Sequence, residues 1–343
     1  MKRLRKVLCL LLCLAMMLPL AACASVPGFP SKDAATPEPT DDLADKIVPA
    51  VPSLTPEPTP EPTPEPTPEP TPEPPKMTVD VDALDYDYID SLVRSFSKTA
   101  AYSLAVIDLN TGALSGTYNM DKKMSASSSI AFPILFTAMK RVDAGDIRLD
   151  SSVVFEYITS GGRGEIYAGS DGKSFELAYL LEVMLRSSDG NAINSVMDFL
   201  TRRAINTFCK GDGFDSVSIM YYIGKTNDNT AEDNYISAAD LAGIVYKLYS
   251  SEDYLGRSFL ERHMVVTDSA DNTGLGRHLN DKADLLLEYY SVKTRKYNEI
   301  IIVEHGDAAY AVVFMSNKEN HVNLEEIASK IGDYVFETFT AVG

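Results

Sequence analysis

Apolar and polar positions divide the chain into three stretches. Residues 1–22 carry a single apolar run, Val7 to Leu20, behind four cations, Lys2, Arg3, Arg5 and Lys6. Residues 23–76 are poor in apolar side chains, whereas residues 77–343 alternate short apolar runs with polar breaks, as one globular domain does. In this third stretch Leu84, Tyr88, Leu92 and Phe96 recur at helical spacing and predict a helix over 82–97. Tyr102 to Asp108 and Leu114 to Tyr118, joined by Asn110-Thr111-Gly112, predict a hairpin. Helices are expected over 128–143, 174–186, 190–200, 202–210, 237–249 and 252–263, with Ser237 and Asp240 as a capping pair. Asp284 to Val292, Asn298 to Glu304 and Ala308 to Met315 are rich in β-branched and apolar residues and predict strands, with a turn at Gly306-Asp307. A helix from Val322 to Phe339 closes the chain. This order predicts an α+β fold: one antiparallel sheet assembled from both chain ends, with a mostly helical lobe inserted.

The first stretch has the layout of a secretory signal peptide, and Leu20-Ala21-Ala22-Cys23 resembles a bacterial lipobox. The resemblance implies cleavage before Cys23 and lipidation of its thiol. That reading is preferred to an ordinary signal peptide or an uncleaved anchor, because the cysteine stands where the apolar run ends and a hydrophilic stretch follows. Residues 23–76 end in five Thr-Pro-Glu-Pro units from Thr55 to Pro74. Proline at every second position blocks helix and sheet ladders and favours an extended spacer, and the repeated glutamates repel one another. At ~3.1 Å per residue such a segment would span roughly 60 Å. The expected location is the outer face of the cytoplasmic membrane, reached through lipidated Cys23.

Charge and cysteine content narrow the partners. The formal net charge is −18, and loss of the four signal cations makes it more negative still, which argues against nucleic acid and leaves membrane contact to the lipid anchor. Cys9 and Cys13 lie in the signal, so Cys209 is the one thiol of the domain, read as a small buried hydrophobe rather than a nucleophile. His263, His278, His305 and His321 are scattered without ligand spacing, and no cofactor is expected.

The candidate chemistry begins at Ser125-Ala126-Ser127-Ser128-Ser129-Ile130-Ala131-Phe132-Pro133-Ile134-Leu135. This segment resembles the S-x-x-K helix of class A β-lactamases and their penicillin-binding relatives, with Ser128 at the serine and Ala131 where the lysine would stand. In such a helix positions i and i+3 share a face, so a lysine there could draw a proton from the serine; alanine cannot. Taken alone, the serines also suit a helix cap. The resemblance extends over nearly all of residues 83–340. Leu185-Arg186-Ser187-Ser188-Asp189-Gly190-Asn191 is similar to the family's S-D-N region, with Ser188 and Asp189 matched and Gly190 in place of the amide-binding asparagine. For the third motif, K-T-G, two registers are open. The preferred one sets Glu288-Tyr289-Tyr290 there, and the other uses Lys293-Thr294, with Arg295 replacing the glycine. The loop glutamate that activates water in the family's lactamases has no evident counterpart, since Glu232 reads as a solvated side chain of an acidic stretch that includes Asp228 and Asp233.

These losses lead to the expectation of a membrane-anchored pseudoenzyme that binds a peptidoglycan-derived ligand or an envelope protein without acyl transfer. Two alternatives stand beside it. One is an active serine hydrolase, β-lactamase or carboxypeptidase-like, using Ser128 with another base. The other is a scaffold whose cleft is filled by Phe132, Tyr289 and Tyr290.

Overall fold

The computed structural model describes residues 77–156, 165–224, 233–251, 255–263, 274–279, 281–293, 296–317 and 321–341. The signal segment, Cys23, the Thr-Pro-Glu-Pro spacer, Asp228, Glu232, Thr294 and Arg295 lie outside the described residues.

In chain order the elements are α1 (Tyr86–Phe96), β1 (Ala101–Asp108), β2 (Leu114–Gly116), β3 (Met124–Ser125), α2 (Ala131–Asp143), β4 (Ser152–Val154), β5 (Ser174–Glu176), α3 (Leu177–Arg186), α4 (Gly190–Leu200), α5 (Arg202–Gly211), β6 (Tyr235–Ile236), α6 (Ala238–Tyr249), α7 (Leu255–His263), β7 (Asp284–Lys293), β8 (Lys296–His305), β9 (Ala308–Asn317) and α8 (His321–Thr340). A five-stranded sheet in the order β2-β1-β9-β8-β7 joins the first hairpin to the last three strands, every pair antiparallel. The fold is α+β, with the sheet built from both chain ends and the helical lobe between them, as the pattern of elements implied.

The central strands read as unbroken apolar runs because both faces of the sheet are covered. Period-two alternation then sorts their side chains. Ala105, Ile107, Ile300, Ile302, Ala311 and Val313 join the core shared with the helical lobe. Leu104, Val106, Ile301, Val303, Val312 and Phe314 join the core under α1 and α8. Ile89 and Val93 anchor the buried side of α1, and Ile327, Ile331 and Val335 that of α8.

Several boundaries differ from the sequence reading. The first helix is split: a 3-10 turn, Val81–Ala83, precedes α1, whose start is fixed by the Asp85 carboxylate accepting from Tyr88 N. The apolar run after Met124 opens as a 3-10 turn, Ser127–Ile130, before α2 begins. Ser174 to Glu176, expected as a helix start, is a strand paired with Ser152–Val154, where Val153 faces Phe175. The Ser237 cap forms, accepting from Asp240 N, but the reciprocal half does not: the Asp240 carboxylate turns to Ser216 N and Oγ instead. Cys209 is fully buried, and burial pushes its thiol up to about 12, so it packs as a hydrophobe.

Candidate functional site

The serine turn lies where three elements meet: β3, the 3-10 turn Ser127–Ile130, and the start of α2. Ser128 is half-buried, and Ala131 one turn on is wholly buried, with its N–H on the carbonyls of Ser128 and Ser129. Ser127 has a φ of 48° and Ser188 a φ of 49°, so both serine motifs pass through the left-handed region with a non-glycine residue. Backbone held in this way needs the surrounding structure to enforce it, and such positions gather at functional sites. Among the described residues the buried hydroxyls of Ser127 and Ser129 find no hydrogen-bond partner, a desolvation cost that the turn carries.

Asp189 explains the second turn. Its carboxylate caps α4, accepting from Asn191 N at 2.8 Å and Ala192 N at 3.0 Å, and also takes Ile166 N at 2.8 Å. Asn191 then donates to Ile166 O, so the segment before β5 is fastened to the loop that carries Ser188. Gly190 is buried as the first residue of α4. The capping role is retained, and no side chain at position 190 can contact an amide.

Of the three residues set at the third motif, Tyr289 faces the serine. Its hydroxyl donates to Ser128 O at 2.8 Å and also contacts the Ser188 side chain. The ring lies edge-on to Phe132 at 5.1 Å, and Tyr289 is only 2% exposed. Complete burial raises its phenol well above the ordinary tyrosine range, against the smaller opposing pull of hydrogen bonds with Ser188 and Ser128. A phenol so placed stays protonated at neutral pH and cannot serve as a base. Glu288 is on the opposite face, within reach of Gly276, so its charge is not the one beside Ser128. The expectation that Glu288 takes the lysine position is corrected on this point. Tyr290 pairs in the ladder with Glu299.

The reason for this orientation is a register shift between Leu285 and Leu287, a bulge in β7. One extra residue reverses the parity of every side chain beyond it.

On the same face as Tyr289, β8 contributes two polar side chains that pattern reading missed. Asn298 donates to Ser125 O at 2.9 Å and Ala126 O at 2.8 Å, gripping the strand that leads into the serine turn. Lys296 forms a buried ion pair with Asp233 at 2.6 Å, and Ser125 Oγ donates to the same carboxylate oxygen, also at 2.6 Å. Asp233, expected in a solvated acidic stretch, is therefore a buried anchor. The available signal was the alternation of Lys296 and Asn298 ahead of an apolar run, which puts both on one face of the strand. The charge on Lys296 is engaged by Asp233.

A second titratable group sits across the sheet. Glu299 is fully buried, accepting from Tyr297 Oη at 2.5 Å and Leu275 N at 2.8 Å. Burial and then the neighbouring Glu288 carboxyl hold Glu299 well above the usual carboxylate range. Gly274, at φ 60°, is required here, because a Cβ would strike Glu299 Oε2 and Tyr297 Oη. Among the histidines, His278 bonds Asp333 at 2.8 Å and His305 packs edge-on to Phe336.

A family model described as the beta-lactamase enzyme family matches residues 86–339. A beta-lactamase from Sphaerobacter thermophilus superposes with a TM-score of 0.62 at 15% identity, covering 76% of this chain and 100% of that one. PBP-A gives 0.62 at 19% identity, covering 74% and 96%. An ancestral class A beta-lactamase gives 0.64 at 17% identity, covering 74% and 99%. No curated protein matches. At these identities the superpositions speak for the fold, while the family model spans most of the chain, including both serine turns and the strand that carries Tyr289. The chain belongs to the beta-lactamase enzyme family.

Proposed function

We propose that this protein is a membrane-anchored, extracytoplasmic β-lactamase-like pseudoenzyme that holds a cell-wall component or an envelope protein without acyl transfer. The observation that carries the reading is Tyr289: a buried, neutral phenol bonded to Ser128 O and packed on Phe132, on the strand face where the family resemblance implies a lysine. Acyl transfer needs the serine proton removed and the substrate anion attracted. Ala131 supplies no base, Gly190 no amide contact and Tyr289 no cation. Groups of this kind act as a unit, so loss of several leaves little rate to recover. Anchoring through Cys23 would place the domain outside the cytoplasmic membrane, where wall fragments are the ligands at hand.

The test is covalent labelling. After long incubation with a labelled penicillin, intact-mass measurement should find no adduct, and Ala131→Lys alone should not create one. A stoichiometric adduct on the unmodified protein that disappears in Ser128→Ala would overturn the reading in favour of an active serine hydrolase.

A further inference from the structure

Away from the serine turn, α5 borders an open groove of about 650 Å³ whose charge opposes that of the chain as a whole. One face of the helix supplies Arg202, Arg203, Asn206 and Lys210, and the opposite wall is Ile219 and Met220, the latter 58% exposed. Arg202 rests over the Tyr222 ring at 4.3 Å. Arg203 and Lys210 are exposed, and neither has a carboxylate partner among the described residues. Arg202 and Lys210 stand eight positions apart, which the helical rise converts to ~12 Å along the groove. A single small anion cannot touch both ends, so the cations suit an extended ligand with several charges.

The opposite wall decides what kind of chain this is. Extended peptides are commonly held by main-chain pairing to a free strand edge. Here that edge is already used. Ile219 N and O are bonded to the Asn206 side chain. Met220 N and both backbone groups of Tyr221 are bonded to Asn234. Ser218 is bridged to Tyr235 in both directions. A peptide would leave its own N–H groups unmatched along this wall. A polyphosphate chain has no such donors and asks only for cations at intervals along the groove.

We propose that the α5 groove binds a linear polyphosphate chain, with Arg202, Arg203 and Lys210 as its phosphate contacts. The site is separate from the serine turn and does not depend on whether acyl transfer occurs. The probe is linear inorganic polyphosphate, titrated by calorimetry against the full-length chain. Three neutralised phosphates predict a slope of roughly −2 in log affinity against log salt, so raising salt from ~50 to ~200 mM should weaken binding roughly 20-fold.

The variant Arg203→Glu with Lys210→Glu should abolish binding, and the milder Arg203→Ala with Lys210→Ala should weaken it at least about tenfold. Both pairs are exposed, so the melting temperature should stay at the parent value. Lys122→Glu with Lys123→Glu makes the same change in net charge elsewhere on the surface and should leave binding intact. Inorganic phosphate alone, poly-glutamate and phosphatidylglycerol vesicles are the competing probes, and each should bind more weakly than polyphosphate. The proposal is overturned if polyphosphate fails to bind or if the α5 charge reversals have no more effect than those at Lys122 and Lys123. It is equally overturned if poly-glutamate or the vesicles bind as tightly through the same residues.

Discussion

Asp233→Asn tests whether the serine turn is held by the buried ion pair. Asp233 and Lys296 lie with side chains 7% and 10% exposed and their charged atoms 2.6 Å apart, so water cannot replace either partner. Removing the carboxylate charge takes the 2.6 Å counter-ion from a buried ammonium, which costs about 3–5 kcal/mol. Ser125 retains an acceptor in the asparagine oxygen, so its hydrogen bond adds little to that figure. With a urea dependence of ~3 kcal/mol per molar, the midpoint should fall by about 1–1.7 M. Replacing Lys296 with Met in the same background removes the stranded charge and should recover most of the loss. The double-mutant cycle would then give a coupling of at least ~2 kcal/mol. Urea unfolding followed by far-ultraviolet circular dichroism measures all four proteins. A shift below ~0.3 M for Asp233→Asn, or a double variant whose cost equals the sum of the singles, would refute the argument.

Glu299→Gln should flatten the pH dependence of stability. Because the native carboxyl is held above its unfolded value, the folded state binds more protons, and stability present below the ordinary glutamate range is lost as pH rises toward the native value. The variant should therefore gain on its parent as pH rises above the ordinary glutamate range in melting experiments, and parallel curves would exclude the effect. Cys23→Ser should release the protein from membranes or leave the precursor uncleaved; fractionation and processing identical to the parent would rule out the lipobox. Deleting Thr55 to Pro74 should leave the unfolding midpoint of the domain unchanged, since few contacts cross such a boundary, and a drop of several degrees would show that the spacer packs on it.

Much of the fold was legible in the chain itself, because the determining interactions are short-ranged or periodic. Apolar runs such as Ile300 to Val303 and Ala311 to Phe314 announce strands covered on both faces. Asp189 and Ser237 announce helix starts through carboxylate and hydroxyl caps that act within three residues. That a lysine would stand at Ala131 is implied by the family resemblance; helical spacing adds only that position 131 shares a face with Ser128.

Tertiary structure decided what depends on distant partners. Ser174 to Glu176 became a strand because residues 152–154 offered it an edge, overriding a sequence that also suits a helix start. Which of Glu288 and Tyr289 would face the serine could not be read locally, because one bulged residue in β7 reverses the alternation. Asp233 looked solvated beside its acidic neighbours until the fold brought it to Lys296, 63 positions away, and to Ser125, 108 positions away. Alternation could set Lys296 on the face of Asn298, but nothing local names Asp233 as its partner: the pair exists only once the sheet and the loop close around both, and burial makes their attraction strong enough to hold the turn.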